Sequence, residues 1–342
     1  MVGMKPTMII VGAGLNGLLL AYLLRTHYRI TVLEARPRVG GRILTVEEGG
    51  ERFDLGPTWI WPHQHYIRHL IDDLGLTLFR HYDRGAFAYD APEGVQYFRS
   101  YQDAPSYRLK GGAASLTDSL LHRLPEVDLR LETPVERIVS DAQGVTLFSA
   151  HESFRADRCV VTLPPRLAAG TIAFEPPLPS AVWERMHAIP TWMGFASKCI
   201  VTYAEPFWRR KGLSGFASSH LGPLAEVHDA SAETKGALFG FYHTEAADDA
   251  QPDRVVEQLA RLFGPEAYGY EIFRYHNWRL DPYTSTAADR EPLREHPRYG
   301  MEPAWDGRVF FCGTETSDAE GGYLEGAVIA AMRLAKTLTQ TR

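Results

Sequence analysis

The chain has 342 residues, enough to bury one large core or two intimate ones. Hydrophobic residues make up 45% and charged residues 23%, a globular composition that excludes an intrinsically disordered chain. A formal net charge of -6, with both signs scattered along the sequence, excludes a dedicated nucleic-acid binder, which concentrates Lys and Arg on one face.

The first predicted element is Thr7-Met-Ile-Ile-Val11, a short apolar run of the kind found in buried parallel strands. It is too short for a signal-peptide core. The run leads into Gly12-Ala-Gly14-Leu-Asn-Gly17, then a helix-forming stretch over 18–24, then a second strand, Ile30-Thr-Val-Leu33, ending in Glu34. Each part has a mechanical reason. Gly12 permits a tight turn, Gly14 lets backbone approach a pyrophosphate, and Gly17 lets the helix pack closely. Free N–H groups and the positive end of the helix dipole attract phosphate. Glu34 lies twenty residues beyond Gly14, where a carboxylate accepts hydrogen bonds from a ribose.

Glu34-Ala35-Arg36-Pro-Arg38-Val-Gly40-Gly41-Arg42 follows directly. Two glycines bring backbone amides close to an anion, and Arg42 offers a planar fork that neutralises phosphate charge. The E-x-R-x-x-x-G-G-R run resembles the signature of the flavoproteins that include monoamine and polyamine oxidases, protoporphyrinogen oxidase and carotenoid desaturases. That resemblance implies FAD rather than NAD, with Gly56, Pro57 and Thr58 closing the first cofactor segment.

Between Trp61 and Gly111 only about fifty residues remain, where monoamine oxidases carry a longer, mostly helical insert. The pattern here predicts one helix over 66–74 and short strands over 78–82, 86–89 and 96–100. That shortened cap leaves the flavin less covered unless a second copy closes it, as a homodimer would. It resembles the plan of renalase-like proteins, which oxidise reduced nicotinamide isomers, so that activity stands as the alternative, beside a non-oxidase flavin dehydrogenase or desaturase. His63, His65 and His69 lie in this region. No cysteine or paired carboxylate supports a metal among them, so they read as a polar loop and no metal is expected.

Further along, a helix over 114–124 and Pro134-Val135-Glu-Arg-Ile138 resemble the family's return to the nucleotide domain, which implies that Val135 lies near the adenine. Cys159-Val-Val-Thr162-Leu-Pro164-Pro165 resembles the strand and turn that follow. Ala196-Ser-Lys198-Cys-Ile-Val-Thr-Tyr203 alternates as a strand with Lys198 directed to one side. A strand lysine is most often solvated, whereas the resemblance implies that Lys198 assists reaction of the reduced flavin with dioxygen. Asn277-Trp278 and Asp281-Pro-Tyr283 resemble the segment passing over the flavin, with Trp278 as its tryptophan. Ala287 and Ala288 stand where monoamine oxidases have the flavin-linking cysteine and one tyrosine of an aromatic cage. Non-covalent FAD is therefore expected, with Trp59, Trp61 or Trp192 filling the vacated ring position.

Near the C-terminus an apolar strand, Arg308-Val-Phe-Phe-Cys312, enters Gly313-Thr-Glu315-Thr and then Gly322-Tyr323-Leu324-Glu-Gly-Ala327. This closely resembles the monoamine oxidase motif, which implies that Gly313, Glu315, Gly322, Tyr323, Leu324 and Ala327 hold the flavin and part of the amine site. Cys312 stands where that family usually has Ala, and with Cys159 and Cys199 it forms no CxxC pair.

The expected fold is α/β: a discontinuous Rossmann-type FAD/NAD(P)-binding domain (1–62, 113–180 and 280–342) with an interleaved substrate domain on a mixed β-sheet (63–112 and 181–279). The resemblance implies an FAD-dependent oxidation of an amine or amino-acid-like C–N bond. Lys198, Tyr323 and Trp278 are its catalytic candidates, and dioxygen is its acceptor. No apolar run is long enough to cross a bilayer, so a cytoplasmic location without membrane partners is expected.

Overall fold

The computed structural model describes residues 5–99, 104–302 and 305–340. The strand Thr7–Val11 lies at the middle of a five-stranded sheet in the order Val309–Phe311, Arg158–Val161, Thr7–Val11, Arg29–Leu33, Asp128–Arg130. Every pairing in it is parallel. Successive strand side chains point to opposite faces, and here both faces are covered. Met8 and Ile10 pack with helices Leu15–Leu24, Ala114–His122 and Leu324–Gln340. Ile9 and Val11 pack against a four-stranded sheet formed by Ser153–Ala156, Gly144–Phe148, Arg137–Asp141 and Ala173–Glu175. Two-sided burial explains why the first strand reads as an unbroken apolar run.

A seven-stranded mixed sheet forms the other body, in the order Ile272–Asn277, Ser197–Tyr203, Gly236–Tyr242, Leu224–Asp229, Leu213–Ser219, Ala86–Ala91, Gly94–Arg99. Its pairings are antiparallel except that of Leu213–Ser219 with Ala86–Ala91. The strand Ser197–Tyr203 is buried along its whole length. Cys199, Val201 and Tyr203 pack beneath helix Pro252–Phe263, while Ile200 joins Phe53, Leu55 and Phe239 on the opposite face. Lys198 is 1% exposed, so the solvated alternative for this lysine does not hold.

The expected cap elements form with small shifts of their ends: helix His65–Asp73 and strands Leu78–Arg80, Ala86–Ala91 and Gly94–Arg99. Ser100, the last residue of the strand expected over 96–100, lies outside the described residues. Helix His65–Asp73 has no side-chain cap of its own. Glu325, from helix Leu324–Gln340, accepts from the Tyr66 N–H at 3.0 Å and the Ile67 N–H at 2.6 Å. Among the described residues, no helix is long and apolar enough to cross a membrane.

Candidate active site

A cavity of about 520 Å³ runs between the two bodies, within the usual range of about 300–1,000 Å³ for small-molecule sites. Both ends of the chain line it. Gly12 has φ +105° and donates to the Leu33 carbonyl at 2.7 Å. A Cβ there would stand 2.6 Å from Thr162 Oγ1, and that hydroxyl donates to the Val11 carbonyl at 2.8 Å. Gly14 opens helix Leu15–Leu24, and a Cβ built on it meets nothing nearer than 3.8 Å. Its open side belongs to the cavity wall, which continues through Gly41, at φ +56°, and Gly56. Gly17 does not line the cavity; a Cβ there would fall 2.0 Å from the Gly12 carbonyl oxygen.

Glu34 is buried at this end, accepting from the Ala13 N–H at 2.8 Å and the Arg36 N–H at 2.9 Å. These bonds fix the carboxylate at the wall, beside Ala35, Arg36 and Val135. Arg36 donates to Asp281 Oδ1 at 2.6 Å and Thr284 Oγ1 at 2.9 Å. The segment carrying Trp278 is thereby clasped to the glycine-loop body, a partnership not anticipated from sequence.

Arg42 lines the cavity, as a residue expected at a phosphate would, and also has a protein partner. Its fork engages Glu315, with Nη1 to Oε1 at 2.6 Å and Nη2 to Oε2 at 3.0 Å. Glu315 is fully buried and, like Gly313, does not line the cavity. A buried carboxylate requires a counter-charge, and Arg42 supplies it across 273 residues of sequence. The pair ties the N-terminal glycine run to the C-terminal motif. Gly322, Tyr323, Leu324 and Ala327 do line the cavity, at the start of helix Leu324–Gln340.

At the other end the wall is largely aromatic: Trp59, Trp61, Trp192, Phe241, Trp278 and Tyr323. Trp61 and Trp192 each lie 5.9 Å from the Tyr323 ring, centroid to centroid. Trp59 turns instead toward His228 and Phe239. Trp278 is anchored by its indole N–H, which donates to the Leu55 carbonyl at 2.9 Å. Ala287 and Ala288 are exposed and line nothing in the cavity; Pro282, Tyr283 and Thr284 do so from the same loop. The capping box between Thr286 and Asp289 turns the chain there, and buried Asp289 pairs with Arg166 at 2.6 Å.

Lys198 and Thr58 also line this cavity, together with Pro57. Lys198 Nζ donates to Thr58 Oγ1 at 2.6 Å and to the Gly56 carbonyl at 3.0 Å. Burial pulls Lys198 down to about 7, with Arg108 acting the same way and Asp54 opposing it. Asp54 is itself pushed up by burial, while its bonds from Thr45 Oγ1 and the Ala113 N–H favour the carboxylate.

These residues fit FAD. Close-approach glycines and a helix start suit a diphosphate, and Glu34 suits ribose hydroxyls. Asn16 offers a further sign that the sequence reading missed. It lines the cavity, donates through Nδ2 to the Ala327 carbonyl at 2.8 Å, and keeps Oδ1 buried without a partner. A buried acceptor of that kind calls for a donor from a bound group. Among the described residues no cluster of three or more His, Cys, Asp or Glu could hold a metal, and His63, His65 and His69 are all exposed.

The profile of a family described as flavin containing amine oxidoreductase matches residues 91–339, and that of an NAD(P)-binding Rossmann-like domain matches residues 10–74. Putrescine oxidase from Kocuria rosea is 27% identical over 82% of this chain and 83% of its own length. The flavin-containing amine oxidase B of Canis lupus familiaris is 24% identical over 98% of this chain and 86% of its own. That second alignment runs over 456 positions against 342 residues here, so the relative carries inserted segments that this chain lacks. Among solved structures, putrescine oxidase bound to putrescine has a TM-score of 0.81 at 20% identity, over 98% of this chain and 99% of its own. Cyclohexylamine oxidase from Brevibacterium oxydans IH-35A has a TM-score of 0.81 at 22% identity, over 98% and 100%. These two share the α/β fold. With one family profile covering most of its length and a Rossmann-like profile at its start, this chain belongs to the flavin-containing amine oxidoreductases and is an FAD-dependent oxidoreductase.

Proposed function

We propose that the enzyme oxidises the C–N bond of an amine or amino-acid-like substrate, with dioxygen as the final acceptor, giving an imine and hydrogen peroxide. The observation that carries this reading is a single cavity bounded by glycine-rich nucleotide-type walls, an aromatic wall and Lys198. FAD, when bound, supplies the acceptor for the two electrons and the α-hydrogen. The chain's own residues do the rest. Gly12, Gly14 and Gly41 admit a diphosphate to the backbone, Glu34 accepts from ribose hydroxyls, and Ala35, Arg36 and Val135 border the adenosine. Arg42, Gly56, Pro57, Thr58, Thr162, Gly322, Leu324 and Ala327 shape the remaining cofactor wall, while Gly17, Gly313 and Glu315 support it from behind.

Tyr323 and Trp278, with Trp61 and Trp192, orient the amine between flat apolar faces. The carboxylates on the cavity wall, Glu34 and Glu136, come from the segments that border the nucleotide end. The substrate reacts as the free amine, whose nitrogen lone pair is then available to the oxidation, while Glu320, which acts electrostatically on Tyr323, stands near the aromatic end to attract a cationic group. Lys198 holds positive charge where dioxygen gains electrons. We infer non-covalent attachment of FAD, because Ala287 is exposed and none of the buried cysteines Cys159, Cys199 and Cys312 lines the cavity. We assign 1–62, 113–180 and 280–342 to cofactor binding and 63–112 and 181–279 to the substrate side.

The test is anaerobic mixing of the holoenzyme with a panel of monoamines, diamines and amino acids, followed by the visible flavin absorbance. Bleaching by an amine supports the proposal. Bleaching by a dihydronicotinamide and by no amine replaces it with the nicotinamide reading.

A further inference from the structure

Two hydrogen-bond acceptors and one close aromatic ring hold the Lys198 nitrogen in place, with the Phe241 ring farther off at 5.4 Å. Nζ donates to Thr58 Oγ1 and the Gly56 carbonyl, and stands 3.9 Å from the centroid of the Phe239 ring. Two of these partners have one capability each. The carbonyl only accepts, and the ring face attracts the cation far more than the free amine. The Thr58 hydroxyl can do both jobs: it accepts from an ammonium and donates to a neutral amine. Its own proton has somewhere to go in the first case, because Oγ1 lies 3.4 Å from the Gly56 carbonyl. Thr58 is buried and lines the cavity beside Lys198.

We propose that Thr58 is a positioning residue for Lys198, whose hydroxyl keeps the lysine nitrogen at the cavity wall in both protonation states and favours retention of its proton. This rests on Lys198 being the cation at the reacting end. When the ammonium gives a proton to the peroxide formed from dioxygen, Nζ gains a lone pair. The Thr58 O–H then turns from the Gly56 carbonyl to donate to Nζ, and Thr58 itself neither gains nor loses a proton. The hydroxyl bond to the ammonium is charge-assisted and the bond to the amine is neutral, so the first is the stronger.

Other ionisable groups facing Lys198 set the background. Asp54, on strand Glu51–Asp54, favours the charged form, whereas Arg108, on Tyr107–Leu109, opposes it. Cys199 is the neighbour along its own strand, and its thiol is pushed up to about 12 by burial. His228, on Leu224–Asp229, is held below its ordinary value by burial, with Lys198 adding to the effect and Glu226 opposing it. His276 is the cross-strand register partner, but its ring turns to Trp278, 4.1 Å away, and to Asp281. None of these donates a hydrogen bond to the neutral lysine.

The experiment titrates the visible spectrum of the resting, oxidised holoenzyme against pH, and separately follows the pH profile of reoxidation by dioxygen. Lys198→Met identifies the lysine's midpoint by abolishing it. Thr58→Val is expected to lower that midpoint by about one pH unit, a tenfold change in proton affinity, and Thr58→Ser to restore it. Thr58→Ala provides the same loss of hydroxyl should the valine variant fail to retain FAD. A midpoint unchanged in the hydroxyl-free variant, while Lys198→Met abolishes it, overturns the role of Thr58 alone. A midpoint that survives Lys198→Met overturns the lysine's assignment as well.

Discussion

A methyl group added at Gly17 would sit 2.0 Å from the Gly12 carbonyl oxygen, whereas one added at Gly14 would meet nothing nearer than 3.8 Å. The two glycines therefore serve different needs within one motif. Gly17→Ala forces helix Leu15–Leu24 away from the loop, an overpacking cost of about 1–3 kcal/mol. The expected protein melts lower and is purified with less FAD. Gly14→Ala leaves the melting temperature of the flavin-free protein nearly unchanged but weakens FAD binding, since the methyl occupies space the cofactor approaches. Flavin-to-protein absorbance ratios and thermal melts of both variants check this; a Gly17→Ala protein with native stability and full flavin would falsify it. Lys198 gives a second expectation at this scale. Lys198→Met should slow reoxidation by dioxygen at least tenfold in stopped-flow experiments while anaerobic reduction by an amine stays within a few-fold. Equal oxygen rates would remove the lysine from that step. The approach of Gly17 to Gly12 was readable because it is local, whereas the packing of Gly12 against Thr162, 150 residues away, was not. Nor was the Arg42–Glu315 pair, because a sequence displays two charges without saying that the fold brings them together.

Helix His65–Asp73 illustrates the same limit for a whole element. Its apolar positions Ile67, Leu70 and Ile71 are buried on one face, and that periodicity made the helix visible in advance. Its first turn was not readable, since Gln64 provides no side-chain cap. The acceptor is Glu325, 258 residues from Ile67, on the helix that begins at the cavity. Removing it exposes two unpaired N–H groups in a partly buried turn. Glu325→Ala should cost about 1.5–3 kcal/mol, the range for hydrogen bonds to a charged group. Hydrogen exchange is expected to accelerate over 65–73 and leave Gly236–Tyr242 in the seven-stranded sheet unchanged. Uniform acceleration across both segments would show that Glu325 supports the molecule generally rather than capping this helix. Strand Ser197–Tyr203 is legible from its alternation, which directs Lys198 to one side, but alternation alone does not say that both sides are buried. Tertiary context supplied the difference: helix Pro252–Phe263 covers one face and strand Glu51–Asp54 contributes to the cover on the other.

At the scale of the whole molecule, buried ionisable groups make stability a function of pH, and two of them act in the same direction. Burial pulls His81 down to about 3, helped by Arg108 and His228, and its Nδ1 has no partner. Between about 6.5 and 3, an unfolded chain takes up a proton at this site that the native protein refuses, so stability falls as pH drops through that window. Lys198 covers the alkaline side. Its native value of about 7 lies below the ordinary 10.5, so across that interval the unfolded chain holds a proton that the native state has released. Stability therefore rises with pH from about 7 to 10.5; below about 7 both states are charged and the cost of the buried ammonium is fully present. Each contribution has its own deletion. His81→Phe should gain stability relative to wild type as pH falls from about 6.5 to 4, while Lys198→Met should show its largest advantage near neutrality and lose it progressively toward pH 10. Urea midpoints of the three holoproteins, measured at one fixed excess of FAD so that cofactor linkage is common to all, separate the two windows. Parallel curves for Lys198→Met and wild type between about pH 7 and 10 would mean that the lysine keeps an ordinary proton affinity in the folded protein, and burial would no longer account for its behaviour at the cavity wall.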